Sequence, residues 1–197
     1  MKEITIFTPT YNRANLLTRL YQSLKMQTCR EFQWLIVDDG SMDDTKNIVE
    51  KFIKEDEIAI KYYYQKNSGK HVAHNLGVKM CDTELFCCVD SDDSLTNDAV
   101  QTVLECWRKK TTDEKTLLSG IVAYRGYNTE KIIGTEFPAG MNEAALKDLY
   151  ANGKQGDTAL IYRTDVLRQY PFPEVKGEKF IRENARRYRG LQVYADQ

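Results

Sequence analysis

Residues Leu85–Leu95, Leu-Phe-Cys-Cys-Val-Asp-Ser-Asp-Asp-Ser-Leu, change abruptly from apolar to acidic. The five apolar residues Leu85–Val89, bounded by a polar cluster, suit a buried strand better than a helix. The carboxylates of Asp90, Asp92 and Asp93 follow at once. If the chain stays extended, alternation points Asp90 and Asp92 the same way. Like charges held that close repel, so a positive group belongs between them. Magnesium or manganese is the natural candidate, because such ions take one or two carboxylates together with substrate phosphates. The alternative is an acidic turn leading into a helix, with Asn97 as its cap.

More chemistry collects in the loops that precede this stretch. Thr8-Pro9-Thr10-Tyr11-Asn12-Arg13 and Asp38-Asp39-Gly40-Ser41 each follow an apolar run. Lys66-Asn67-Ser68-Gly69-Lys70-His71 follows a third, with Asn75 one helical turn further on. Brought to one place, metal-binding acids, a planar aromatic, an arginine and a lysine suit a nucleoside diphosphate. Tyr11 could pack on the base, Asp39 could accept from a base N–H, and the acids could hold a metal against the diphosphate. Singly, each has an ordinary reading: Tyr11 as a loop aromatic, Asp39 as a turn or cap residue. His71 and His74 stand three apart on a helix, with no third metal ligand in view.

Strands must deliver these groups. Ile4–Thr8, Phe32–Val37, Ile58–Gln65 and Leu85–Val89 read as strands, rich in β-branched and aromatic residues. Helical spacing falls between them: Leu16, Leu17, Leu20, Tyr21 and Leu24, capped by Asn12 or Asn15; Ile48, Val49, Phe52 and Ile53; Val72, Ala73, Leu76 and Met80. Asp43 and Asp44 fall at the start of the second helix, where negative charge suits the dipole. Asn97–Lys110 follows as the clearest helix, with Val100, Val103, Leu104 and Trp107 on one face. Strand and helix thus alternate four times in the first 110 residues, the pattern of a parallel sheet with helices on its faces. In such a sheet the strand ends share one edge, where open α/β folds bind ligands. Beyond it, Leu117–Tyr124 and Thr158–Tyr162 read as strands and Glu143–Tyr150 and Thr164–Tyr170 as helices, the last stopped by Pro171.

The 197 residues fit one domain, and 42% hydrophobic with 29% charged residues is a globular balance. A net charge of −1 gives no global pull toward nucleic acid. The apolar run at the N-terminus is too short for a secretory signal, and no run of about 18 apolar residues occurs. Cys29, Cys81, Cys87, Cys88 and Cys106 are odd in number and lack Cys-x-x-Cys spacing. Reduced, buried thiols in a cytoplasmic protein are the expectation.

Four motifs then occur in order: Thr8-Pro9-Thr10-Tyr11-Asn12-Arg13; Val37-Asp38-Asp39-Gly40-Ser41; Asn67-Ser68-Gly69 with Ala73-x-Asn75; and Val89-Asp90-Ser91-Asp92-Asp93. Over about residues 3 to 110 the chain closely resembles the nucleotide-binding half of the family 2 glycosyltransferases. The resemblance implies a single GT-A domain, Rossmann-like, with a mostly parallel central sheet flanked by helices. Residues 1–110 would bind the nucleotide and 111–197 would form the acceptor side. It further implies a nucleotide-sugar donor, usually UDP-linked, with Mn2+ or Mg2+, and inversion at the anomeric carbon.

By position, Pro9, Tyr11 and Arg13 would line the nucleotide pocket and Asp39 would read uracil N3–H. Asp90-Ser91-Asp92 would be the D-x-D motif, with Asp92 on the metal and Asp90 nearer the ribose. Asp93 would be a metal ligand or the partner of one, and Lys70 would meet the nucleotide. The general base would be Glu183, with Glu178 in reserve, although Asn184 stands where an Asp is common. No Gln-x-x-Arg-Trp occurs, which argues for transfer of single sugars, to a glycan or lipid-linked acceptor in surface polysaccharide synthesis. The chain ends soon after the base region, where many members continue, so a short acceptor side is expected.

Three rival readings stay open. A phosphotransferase could use Asp90 as nucleophile, though such motifs usually lie on the first strand. A sugar-phosphate nucleotidyltransferase would want glycine after the first strand, and Thr8–Arg13 has none. A nucleotide-sugar-binding module without turnover would need no base. Lys176, Lys179, Arg182, Arg186, Arg187 and Arg189 give the tail a basic character that could meet an anionic membrane surface peripherally, or belong to a solvated helix.

Overall fold

The computed structural model describes residues 1–140, 142–175 and 177–181, and the backbone of Gln192–Ala195. In chain order its elements are β1 (Ile4–Thr10), α1 (Ala14–Lys25), β2 (Phe32–Asp38), α2 (Thr45–Glu55), β3 (Ile60–Tyr64), α3 (Lys70–Met80), β4 (Leu85–Cys88) and α4 (Ala99–Arg108). There follow α5 (Thr112–Leu117), β5 (Leu118–Tyr124), β6 (Glu143–Ala145), α6 (Leu146–Ala151), β7 (Thr158–Arg163), α7 (Thr164–Gln169) and β8 (Gln192–Ala195).

The strands form one sheet in the order β3-β2-β1-β4-β7-β5-β8-β6. β3, β2, β1 and β4 are parallel, as the alternating pattern predicts. β7 then enters antiparallel between β4 and β5. β5 therefore runs in the direction of β4 and ends at the same rim. Two apolar layers cover the sheet. Leu17, Leu20, Tyr21 and Leu24 of α1, Val49 and Phe52 of α2 and Val100 and Leu104 of α4 pack on one face. Ala73 and Val78 of α3, Leu149 of α6 and Leu167 of α7 pack on the other. Cys87 and Cys88 point into opposite layers, as alternation requires. Burial pushes the Cys87 thiol up to about 12. The five cysteines are free thiols.

Helix α3 reaches the sheet through Gly77. A Cβ there would lie 2.3 Å from the Phe7 ring, so only glycine permits this approach. Trp34, fully buried on the other face, donates its indole N–H to Thr8 Oγ1 at 2.9 Å.

Several boundaries differ from the sequence reading. β1 runs through Pro9 to Thr10. The Pro9 nitrogen faces the β4 side by alternation; the Val89 amide still donates to the Phe7 carbonyl at 2.8 Å, and pairing with β4 stops there because Pro9 has no N–H to continue it. Neither Asn12 nor Asn15 caps α1. Arg13 holds the N-cap position, and the Ala14 amide donates to Asp43 Oδ2 at 3.0 Å from the neighbouring loop. Asn97 does not cap α4, whose N-cap position is Asp98. Leu117 belongs to α5, opened by a capping box between Thr111 and Glu114. Glu143–Ala145 is a strand and only Leu146–Ala151 is helical.

Candidate functional site

β1, β2, β4 and β5 all end at one rim of the sheet, and the charge lies at or just after these ends. Asp38 and Asp39 close β2. Asp38 is buried, accepting from the Ser41 amide at 2.8 Å and the Tyr62 hydroxyl at 2.7 Å. Burial and this carboxylate push the Tyr62 phenol up. Asp39 is also buried and accepts three bonds: from Gln65 Nε2 at 2.6 Å, the Ser68 amide at 2.8 Å and the Gly69 amide at 2.8 Å. Its carboxylate therefore shapes the 65–69 loop. A carboxylate has about four lone-pair sites, so room for one further donor remains.

The chain does not stay extended after β4. The Asp93 amide donates to the Asp90 carbonyl at 3.0 Å, closing a turn with Ser91 buried inside it. This overturns the alternation argument: a turn, not a pleat, sets the directions of Asp90 and Asp92. Each of the two carboxylates has a cationic side chain as its partner. Lys70 Nζ lies 2.8 Å from Asp90, and Arg13 Nη1 lies 2.9 Å from Asp92. Arg19 donates to the Asp92 carbonyl at 2.6 Å. Burial alone would raise the Asp92 pKa, but its own backbone N–H, Arg13 and Lys70 hold it below the ordinary carboxylate range.

Asp93 turns toward β5, where its carboxylate pairs with Arg125; the same guanidinium reaches Asp157 at 2.6 Å. Arg125 thus bridges the fourth-strand turn to the second half of the chain. The sequence reading passed it over. The signal was available, because Arg125 directly follows a strand, as the other rim residues do.

Among the remaining sequence-predicted residues, Pro9 is buried in the rim between β1 and β2 and Tyr11 stands 46% exposed beside it. Gly69, Lys70 and the buried His71 open α3 at the same edge. Both His71 ring nitrogens are buried without a hydrogen-bond partner. His74 packs between the rings of Phe7, Phe86 and Phe172. Asn75 does not face the rim: its carboxamide binds Phe172 and Glu174. Glu178 is exposed and accepts from the Phe180 amide at 3.1 Å. Glu183 and Asn184 lie outside the described residues, as do Lys176, Arg182, Arg186, Arg187 and Arg189 of the basic tail.

Among the described residues, no three His, Cys, Asp or Glu side chains cluster as a metal cage. Asp90 and Asp92 instead form a two-carboxylate edge at which cations already sit. That donor set fits a hard ion that takes one or two carboxylates with water and substrate phosphates. Among the described residues, no helix is long and apolar enough to cross a membrane.

The chain is similar to several known glycosyltransferases. An uncharacterized glycosyltransferase of Rickettsia conorii is 36% identical over 103 residues, which cover 52% of this chain and 17% of that protein. The GalNAc(5)-diNAcBac-PP-undecaprenol beta-1,3-glucosyltransferase of Campylobacter jejuni is 31% identical over 107 residues, 53% of this chain and 34% of that protein. The crystal structure of S. aureus TarS 1-349 in complex with UDP-GlcNAc superposes with a TM-score of 0.63 and 27% identity, covering 90% of this chain and 50% of that one. The chain spans half or less of each of these relatives. The family described as Glycosyl transferase family 2 matches over residues 5–169. Because that match begins in β1 and ends with α7, taking in the whole rim, the chain belongs to glycosyl transferase family 2 and has the GT-A fold.

Proposed function

We propose that this chain is an inverting, metal-dependent glycosyltransferase domain that uses a UDP-sugar. It transfers one sugar to a glycan or lipid-linked acceptor in surface polysaccharide synthesis. The observation that carries the reading is the convergence of Asp39, Asp90 and Asp92 with Arg13 and Lys70 on one rim. The ligand named for the TarS complex and the lipid-linked substrate named for the Campylobacter relative support the donor and acceptor classes. Residues 1–110 form the donor side, and the rest of the chain faces the acceptor.

Each residue has a part that its surroundings permit. Tyr11 is exposed at the rim and stacks on the base. Pro9 backs the same pocket. Asp39, rigidly held by the 65–69 loop, accepts uracil N3–H with its remaining lone pair. Asp90, with Ser91 buried behind it, orients the ribose side of the donor. Asp92, and Asp90 beside it, would hold Mn2+ or Mg2+; when bound, the ion acts as a Lewis acid on the leaving diphosphate. Arg13 and Lys70 lie on half-exposed ion pairs, which are worth about 0–1 kcal/mol each, so they can leave the carboxylates for the diphosphate at little cost. Asp93 stays with Arg125 and keeps the turn in place. The acceptor hydroxyl loses its proton to a carboxylate of the C-terminal region. We assign that base to Glu183, with Glu178 the reserve.

The base preference tests this reading. Titration calorimetry with UDP, GDP, CDP and ADP, each with Mn2+, should show UDP binding at least about tenfold tighter than the purine nucleotides, a difference of about 1.4 kcal/mol. Equal affinities, or no binding by any of the four, would remove the assignment.

A further inference from the structure

Asn75 belongs to a motif that suggests a ligand contact, yet its carboxamide is turned to the chain beyond α7. Its Nδ2 donates to the Phe172 carbonyl at 2.9 Å and to Glu174 Oε1 at 2.8 Å, and its Oδ1 accepts from the Phe172 amide at 2.9 Å. The side chain grips one residue's N–H and C=O together, as a neighbouring strand would. The Phe172 ring is buried and meets His74 edge-on at 5.3 Å. Residues 177–181 lie back toward the start of α3. The Glu178 amide donates to Val175 O at 3.0 Å and the Phe180 amide to Glu178 Oε1, shaping a turn.

The turn lands on Gly69. A Cβ at that position would lie 2.2 Å from the Lys179 carbonyl oxygen, so the two backbones touch. Gly69 also has φ +101°, which L side chains rarely adopt. Its amide is the one that holds Asp39, and its neighbour Lys70 holds Asp90. The segment therefore crosses the rim at the residue that joins its two acidic corners. Asn75 and Gly69 are six residues apart, about 9 Å along the helix, so one fixed grip at Asn75 sets the course of the crossing.

We propose that Asn75 is a positioning residue that holds residues 172–175 in place, so that residues 177–181 cover the Asp39–Gly69 corner of the donor pocket and retain bound nucleotide. The inference rests on the donor reading above. It assigns Asn75 no contact with substrate.

Hydrogen exchange by mass spectrometry on the full chain, with and without UDP and Mn2+, tests it together with stopped-flow UDP release. In the wild type, UDP should slow exchange in peptides covering Phe172 to Ile181. In Asn75→Ala those peptides should exchange about tenfold faster while peptides of β1 and β2 are unchanged, as expected for local opening of one unit. UDP release should quicken about fivefold, with Asn75→Asp, which keeps the acceptor for the Phe172 amide, in between. Two results would overturn the inference: no effect of UDP on exchange in that segment, or faster exchange in Asn75→Ala with UDP release unaltered. The wild-type arm needs no variant, so a misfolded Asn75→Ala would not shield it. A wild type that binds no UDP would instead remove the donor reading, a separate outcome.

Discussion

Two pairs of acids at one rim are held in opposite ways. Asp38 and Asp39 are buried, and uncharged donors engage them: backbone amides, a hydroxyl and a carboxamide. Asp90 and Asp92 are roughly half exposed, and their partners are the half-exposed cations Lys70 and Arg13. A buried carboxylate cannot leave such donors without stranding N–H groups, at about 1–3 kcal/mol for each. An exposed ion pair opens for about 1 kcal/mol or less. The end of β2 is thus architecture, with one acceptor position of Asp39 left over. The end of β4 is a charged edge whose half-exposed ion pairs open at little cost.

Substitutions can break this contrast. Asp39→Ala should be the most damaging, because it strands the Ser68 and Gly69 amides; a loss of about 3 kcal/mol is expected in urea unfolding, and a loss below about 1 kcal/mol would show that the loop does not depend on it. Arg125→Gln leaves Asp93 and Asp157 without their shared guanidinium, and should cost about 1–2 kcal/mol by the same measurement. Arg13→Gln and Lys70→Met should each change stability by less than about 1 kcal/mol, yet weaken UDP binding measurably. A large stability loss from either would make the β4 edge structural after all.

The smallest effect is a pH dependence. The folded-state pKa of Asp92 lies below its ordinary value, so the ionised group stabilises the fold above that value. The contribution is lost as pH falls from about 4 toward the lower folded value. The stability gap between wild type and Asp92→Asn should therefore be a fraction of about 1 kcal/mol near pH 6, since the pair is half exposed, and should close once the pH has fallen through the lowered folded-state value. A gap that persists at low pH would assign it to packing.

Much of this arrangement is legible in the sequence, for identifiable reasons. β1 to β4 announce themselves by apolar runs separated by helical periodicity, and the meeting of the acids after β2 and β4 follows from the rule that parallel strand ends share an edge. What fails is what depends on distant partners or local turns. Asp90 and Asp92 diverge from a strand pattern because the chain turns at Ser91, whose burial no periodicity reports. The cap of α1 comes from Asp43, 29 residues on. Asn75 reads as a site residue because its partner, Phe172, is 97 residues away. The Thr111–Glu114 capping box was readable and overlooked, since its spacing alone marks a helix start before β5.

The central claim is that Asp90 and Asp92 bind the donor's diphosphate through a divalent cation. Thermal shift of the wild type and Asp92→Ala, with UDP in Mn2+ or in chelator, addresses it most directly. The account predicts that UDP raises the melting temperature of the wild type only when Mn2+ is present, and that Asp92→Ala loses this rise while keeping its own fold. Equal stabilisation by UDP in chelator, or an undiminished rise in Asp92→Ala, would contradict it.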